Sequence, residues 1–253
     1  MRNIRVIARL DVKVPNLIKG IHLEGLRVVG DPQEYAKKYY LDGADELLYM
    51  DAVASLYDRN SIIDIIKKTA SNVLIPMTVG GGVRSSYDVQ QLLDAGADKV
   101  ALNTAAIKNP QLIKEFSRTF GTQCVVLSVE AKKTSHNTWE AYIDAGRERT
   151  GLDVIEWIQK AQELGAGEIL ITSIDMEGTG RGFDIDLIQK STSSVEVPVI
   201  AGGGLGTLKD FDKAVQKGGA DGIAIAQALH YNHLSIQALK TYAKEQGIEV
   251  RIE

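Results

Sequence analysis

The sequence predicts a (β/α)₈ TIM barrel built from two copies of a half-barrel. Three observations carry this expectation. Eight short β-branched runs alternate with eight amphipathic stretches, and such alternation implies parallel strands joined by right-handed crossovers. The length, 253 residues, is that of one such barrel. Finally, the chain repeats itself. IPMTVGGGVR at 75–84 returns as VPVIAGGGLG at 197–206, AGADKVAL at 95–102 as GGADGIAI at 218–225, and GADELL at 43–48 as GAGEIL at 165–170. A repeat at near-constant spacing speaks for architecture, not for function. No linker or low-complexity stretch interrupts it, so residues 1–253 are expected to form a single domain. An open doubly wound sheet alternates in the same way but usually has fewer units.

The first strand is expected at 4–12, where IRVIARLDV places Arg5, Ile7, Arg9 and Asp11 on one face by its period of two. PQEYAKKYYLDG (32–43) opens on Pro and ends on Gly, the asymmetry of a helix. ELLYMD (46–51) is the second strand and SIIDIIKKTA (61–70) the second helix. VLIPMTV (73–79) leads into SYDVQQLLDAG (86–96), whose Val89, Leu92 and Leu93 form one face before Gly96 stops it. The same reading gives strands at 99–103, 123–130, 168–174, 197–202 and 222–226, and helices at 109–121, 152–165, 184–191, 208–219 and 235–247.

Composition narrows the class. The chain is 44% apolar and 25% charged, which fits a folded globular protein rather than a disordered chain or coiled coil. A net charge of −4 argues against a nucleic-acid surface, though not against a local basic pocket. No run reaches the length of a membrane span, and charges break the apolar start MRNIRVIARLDV, so no signal peptide is read. A cytoplasmic protein is expected. The single cysteine, Cys124, lies in CVVLSV and reads as a small buried hydrophobe. The four histidines lack metal-site spacing, so no metal or cofactor is expected.

In such a barrel the chemistry sits at the C-terminal ends of the strands. Gly80-Gly81-Gly82 follows the third strand and Gly202-Gly203-Gly204 the seventh. Each triplet lies one unit before a second point, Asn103-Thr104 or Ala226-Gln227. Glycines let backbone approach a ligand, and a following helix start favours phosphate. Two triplets at equivalent places in a repeat suggest two phosphate sites across one mouth, hence a two-phosphate ligand. Asp11 ends the first strand and Glu130 the fifth, its counterpart in the second half. Two carboxylates between two phosphates suit general acid–base work, although either one taken alone could be a solvated strand end. Lys19 stands in a long glycine-containing loop, either as a surface lysine or as part of a mobile cover. At the opposite pole, Arg5, Glu46, Lys99 and Glu168 are placed to point inward as a net-neutral ring. That ring is either a structural salt-bridge cluster or the lining of a passage for something small and polar.

These residues carry a resemblance over essentially the whole chain. RLDVK…KG, GDP, TVGGGVR, GADKVALNTAAI…NP, GAGEILITSID, DMEGTGRGFD and IAGGG together resemble the cyclase subunit of imidazole glycerol phosphate synthase. The resemblance implies a barrel that takes ammonia from a glutaminase docked on its N-terminal face. The ammonia is used on a bis-phosphorylated ribulosyl aminoimidazole-carboxamide nucleotide, giving imidazole glycerol phosphate and an aminoimidazole-carboxamide ribonucleotide. It implies Asp11 as the catalytic aspartate and Lys19 as the loop lysine. Gly82, Asn103 and Thr104 match one phosphate site, and Gly178, Gly204 and Ala226 the other. Arg5, Glu46, Lys99 and Glu168 match the ammonia gate.

The sequence departs from that pattern around the mouth. Glu130 stands for an aspartate, Arg9 for a cysteine, Glu177-Gly178-Thr179 for Asp-Gly-Thr, and Gln227 for a small hydroxyl residue. A longer acid shifts the carboxylate by ~1.5 Å, enough to alter an attack geometry. An inward Arg9 is expected to favour ionised Asp11. The clustering of these changes leaves an alternative: a paralogue that keeps the ammonia supply but amidates another substrate, such as a surface-glycan sugar. A phospho-sugar isomerase would need no gate, and a non-catalytic barrel could serve only to activate the glutaminase.

Overall fold

The computed structural model describes residues 3–54 and 62–252. One sheet of twelve strands runs through it. Eight of these are parallel and close on themselves: β1 (Arg5–Lys13), β4 (Glu46–Asp51), β5 (Met77–Gly80), β6 (Lys99–Leu102), β7 (Val125–Ser135), β10 (Glu168–Ser173), β11 (Val199–Gly202) and β12 (Gly222–Ile225). Closure is made by β12 against β1, Arg5 opposite Gly222, and by β10 against β7, Glu168 opposite Val126. The fold is thus the expected (β/α)₈ barrel.

Helices follow the strands in the order read from sequence: α1 (Pro32–Leu41), α2 (Ile63–Ala70), α3 (Ser86–Asp94), the short α4 (Thr104–Lys108), α5 (Gln111–Phe120), α6 (Val154–Leu164), α7 (Ile185–Thr192), α8 (Leu208–Gln216), the short α9 (Gln227–His230) and α10 (Ile236–Glu245). Ser61, expected to begin the second helix, lies outside the described residues, as do 1, 2, 55–60 and 253. Side chains stop the helices from fraying at their N-termini. Asp31 accepts from the backbone of Gln33, and Asp153 from that of Ile155. The repeat is visible here too. Ser85 with Asp88 and Thr207 with Asp210 form reciprocal capping boxes at matching places in the two halves. Asp98 accepts from Met77 N–H at 2.8 Å, as Asp221 does from Val199 N–H at 2.9 Å.

Two cores result. The larger lies between strands and helices, and Cys124 is buried within it. The smaller fills the barrel axis: Ile7, Leu48, Ala101, Val126, Leu170, Ile200 and Ala224. Among the described residues, no helix is long and apolar enough to cross a membrane.

The sequence reading needs one correction. The stretch from Asn16 to Gly30, expected as a loop, forms the antiparallel strands β2 (Asn16–Ile21) and β3 (Glu24–Gly30), with β2 paired to β1. Its counterpart in the second half is β8 (Thr138–Ile143) with β9 (Glu148–Asp153), extending β7. Hairpin turns are usually announced by Asn-Gly or Asp-Gly. Here the first tip is His22-Leu23, both at positive φ, +54° and +64°. Such a backbone is costly for leucine. Contacts outside the hairpin hold it: His22 N–H donates to the Glu177 carbonyl at 2.8 Å, and the His22 ring meets the Ile174 carbonyl at 2.9 Å.

Candidate active site

The strand ends and the two hairpins enclose a cavity of about 240 Å³ at the C-terminal pole. Asp11, Glu130, Lys19, Gly82, Asn103 and Thr104 all line it. A narrower cleft of about 10 Å³ adjoins it across the axis, lined by Gly178, Gly204, Ala226 and Gln227. Arg9 lines both. Every residue expected at the mouth is therefore brought there, in two groups on either side of one buried guanidinium. Among the described residues no cluster of three or more His, Cys, Asp or Glu side chains is arranged to hold a metal.

The two carboxylates differ electrically. Arg9 Nε donates to Asp11 Oδ1 at 2.8 Å, and Lys19 Nζ lies 3.4 Å from Asp11 Oδ2. Burial by itself would raise the Asp11 carboxyl, but these two cations hold it down at about 2. Among the described residues Glu130 accepts one side-chain hydrogen bond, from Asn103 Nδ2 at 3.0 Å, and burial pushes it up to about 7 against the opposing pulls of Arg9 and a backbone hydrogen bond from Gly146. The site thus pairs a carboxyl held ionised with one whose proton burial retains to higher pH, the division that acid–base catalysis uses.

Glu130 also makes a pH prediction. Its carboxyl is raised from 4.5 to about 7, so its stabilising share is complete below 4.5 and fades as pH climbs through 7. Glu130→Gln is expected to lose that dependence. Its unfolding free energy should gain on wild type by on the order of 2–3 kcal/mol between pH 5 and 8. Thermal or denaturant unfolding at the two pH values checks it, and a constant difference counts against a buried, titrating Glu130. Asp11 does not confound this window, because its contribution is lost only as pH falls from 3.8 towards about 2.

Lys19 is neither a surface lysine nor part of an open loop. It is 4% exposed on β2, in an ion pair with Glu177. Gly178 permits this closure. Its φ is +72°, and a side chain there would meet the Gly20 carbonyl oxygen at 2.4 Å. The hairpin thus packs on the turn after β10, and its Lys19, Gly20, Leu23 and Leu26 line the larger cavity. Glu177→Gln is expected to loosen the hairpin, because a buried cation loses the nearer of its two counter-charges and keeps only Asp11 at 3.4 Å. Amide exchange across residues 16–30 should rise roughly tenfold or more, while α10 stays unchanged. Equal exchange in both proteins would show that backbone contacts alone hold the hairpin.

Thr104 is placed at the cavity, but its hydroxyl accepts from Asp144 N–H at 3.0 Å. Asn103 spends its amide N–H groups on Glu130 and the Tyr142 carbonyl at 3.1 Å, and its buried Oδ1 has no partner among the described residues. These contacts come from the second hairpin, which the sequence reading did not include. Asn137, at φ +57° in the turn between β7 and β8, was the available signal that the chain doubles back here.

Below the apolar axis layer the four expected charges converge. Arg5 Nη1 donates to Glu46 Oε2 at 2.9 Å, and its Nη2 bonds Glu168 Oε1. Lys99 Nζ reaches Glu46 Oε2 at 3.1 Å and Glu168 Oε2 at 2.9 Å. Thr78 Oγ1 donates to Glu46 Oε1 at 2.5 Å. The ring is closed: two cations, two carboxylates, each bonded to both opposites. Gly222 adds no side chain, and a Cβ there would lie 3.6 Å from Arg5 Nη2. The carboxylate side chains are 3% and 7% exposed and the cations 27% and 21%, so the cations are the face turned to solvent.

The model of a family described as histidine biosynthesis protein matches residues 5–235. The chain belongs to the histidine biosynthesis protein family. Within this family it is 62% identical over 212 residues to the imidazole glycerol phosphate synthase subunit HisF of Legionella pneumophila, covering 84% of this chain and all of that protein. It is 44% identical over 248 residues to the subunit of the same name from Natranaerobius thermophilus, covering 98% of each. The resemblance to the cyclase subunit drawn from the motifs is borne out by these matches.

Proposed function

We propose that this chain is the cyclase subunit of imidazole glycerol phosphate synthase, acting in the cytoplasm with a glutaminase docked on the N-terminal pole. The bis-phosphorylated nucleotide lies across the mouth, one phosphate near Gly82, Asn103 and Thr104, the other near Gly178, Gly204, Ala226 and Gln227. Ammonia enters past Arg5, Glu46, Lys99 and Glu168 and travels up the apolar axis. Asp11 takes a proton from the incoming nitrogen, and Glu130 gives one to the departing group. Lys19 covers the ligand from the hairpin.

The observation that carries this reading is the vertical order along one axis: charged ring, apolar layer, then unlike carboxylates between two cavities. A barrel acting only on a phospho-sugar would have no use for the lowest of these. The test is turnover of the nucleotide with free ammonium, together with complementation of a strain lacking the cyclase. Activity in both is expected, and failure of ammonium-driven turnover overturns the reading, including the assignment of its substrate.

A further inference from the structure

Arg9 is a fully buried cation at the centre of the mouth, with its side chain 5% exposed. Three carboxylates face it: Asp11 from its own strand, Glu130 from β7 and Glu177 from the turn after β10. Its guanidinium has five donors, of which Nε goes to Asp11 and Nη1 to Thr172 Oγ1 at 2.9 Å. Nη2 makes no hydrogen bond to any described residue. Yet Arg9 lines both the cavity beside Gly82 and the cleft beside Gly204. A guanidinium edge that no protein group uses and that borders open space is placed to take an oxygen-rich ligand. The carboxylates that balance its charge leave that edge free.

We propose that Arg9 is a substrate-positioning residue, fixing the Asp11 carboxylate through Nε while offering Nη2 to an oxygen of the sugar chain between the substrate's two phosphates. The inference rests on the cyclase reading and deepens it. One rigid, planar group then registers the reacting carboxylate and the substrate against each other, a geometry that a flexible ammonium cannot copy. Thr172 holds the plane, so rotating Nη2 away from the ligand costs a buried hydrogen bond. The groups facing Asp11 are Arg9, Lys19 from β2 and His230 from α9. Of these Arg9 has the closest polar contact, so loss of its charge is felt at Asp11 first.

The experiment uses the full chain, the bis-phosphorylated nucleotide and free ammonium, with kcat and KM measured from pH 5 to 9. Arg9→Lys keeps the charge but not the reach. KM is expected to rise about tenfold or more, with no fall of kcat on the acidic side of this pH range, as in wild type. Arg9→Gln removes the charge, and its kcat is expected to begin falling towards pH 5, where wild type stays level, as Asp11 becomes easier to protonate. A KM for Arg9→Lys within twofold of wild type overturns the substrate contact, whether or not Arg9→Gln folds. A raised KM in Arg9→Lys supports it. Wild type inactive on the nucleotide overturns this inference together with the proposed function, whereas active wild type with an unchanged Arg9→Lys removes this inference alone.

Discussion

Asp11→Asn is expected to reduce kcat by about a thousandfold or more, the scale of a lost general base or acid, while affinity for the bis-phosphorylated ligand stays nearly unchanged. The argument is local. Asparagine keeps Oδ1 in place to accept from Arg9 Nε, so the guanidinium need not move. The residues assigned to the phosphates belong to other strands and do not depend on the Asp11 charge. What disappears is the basic oxygen that Arg9 and Lys19 keep ionised. Single-turnover kinetics with free ammonium, beside calorimetric binding of the ligand, separates the two quantities. A parallel fall in affinity would make Asp11 a ligand contact instead of a proton acceptor.

Lys99→Ala is the second large effect, at the opposite pole. Removing Lys99 leaves Glu46 and Glu168, both sealed from solvent, sharing Arg5 alone. Breaking a buried pair costs about 3–5 kcal/mol, and the partial exposure of Lys99 brings the expected loss to roughly 2–3 kcal/mol of unfolding free energy. In the assembled enzyme, glutamine hydrolysis should then outrun product formation, while turnover with free ammonium remains. Lys99→Arg, which retains the charge, should restore the coupling. If glutamine-driven and ammonium-driven turnover fell together in Lys99→Ala, the ring would be structural and not a passage.

Much of this molecule is written locally. The strand starts Glu46, Lys99 and Glu168 and the glycine triplets follow from period-two alternation and from the repeat, and the coordinates put them where those rules say. The effect of Arg9 on Asp11 was also legible, since residues i and i+2 of a strand share a face. The hairpins were not. Their turns lack the usual dipeptides, and the end of β9, Leu152–Asp153, was assigned to the following helix. Their pairing is fixed by contacts distant in sequence, such as His22 with Ile174, 152 residues apart.

By itself, then, the sequence determined the barrel, its two-fold construction, the family, and the cast of residues at each pole, because hydrophobic period and repeat are properties of neighbours along the chain. Only the tertiary structure decided the partners. Lys19 is tied to Glu177, Asn103 to Glu130, and Arg9 keeps a free edge towards both cavities. Burial is a collective property of all eight strands. Burial raises both carboxyls, and what separates one near 7 at Glu130 from one near 2 at Asp11 is the pair of cations, Arg9 and Lys19, that the fold brings against Asp11 and not against Glu130.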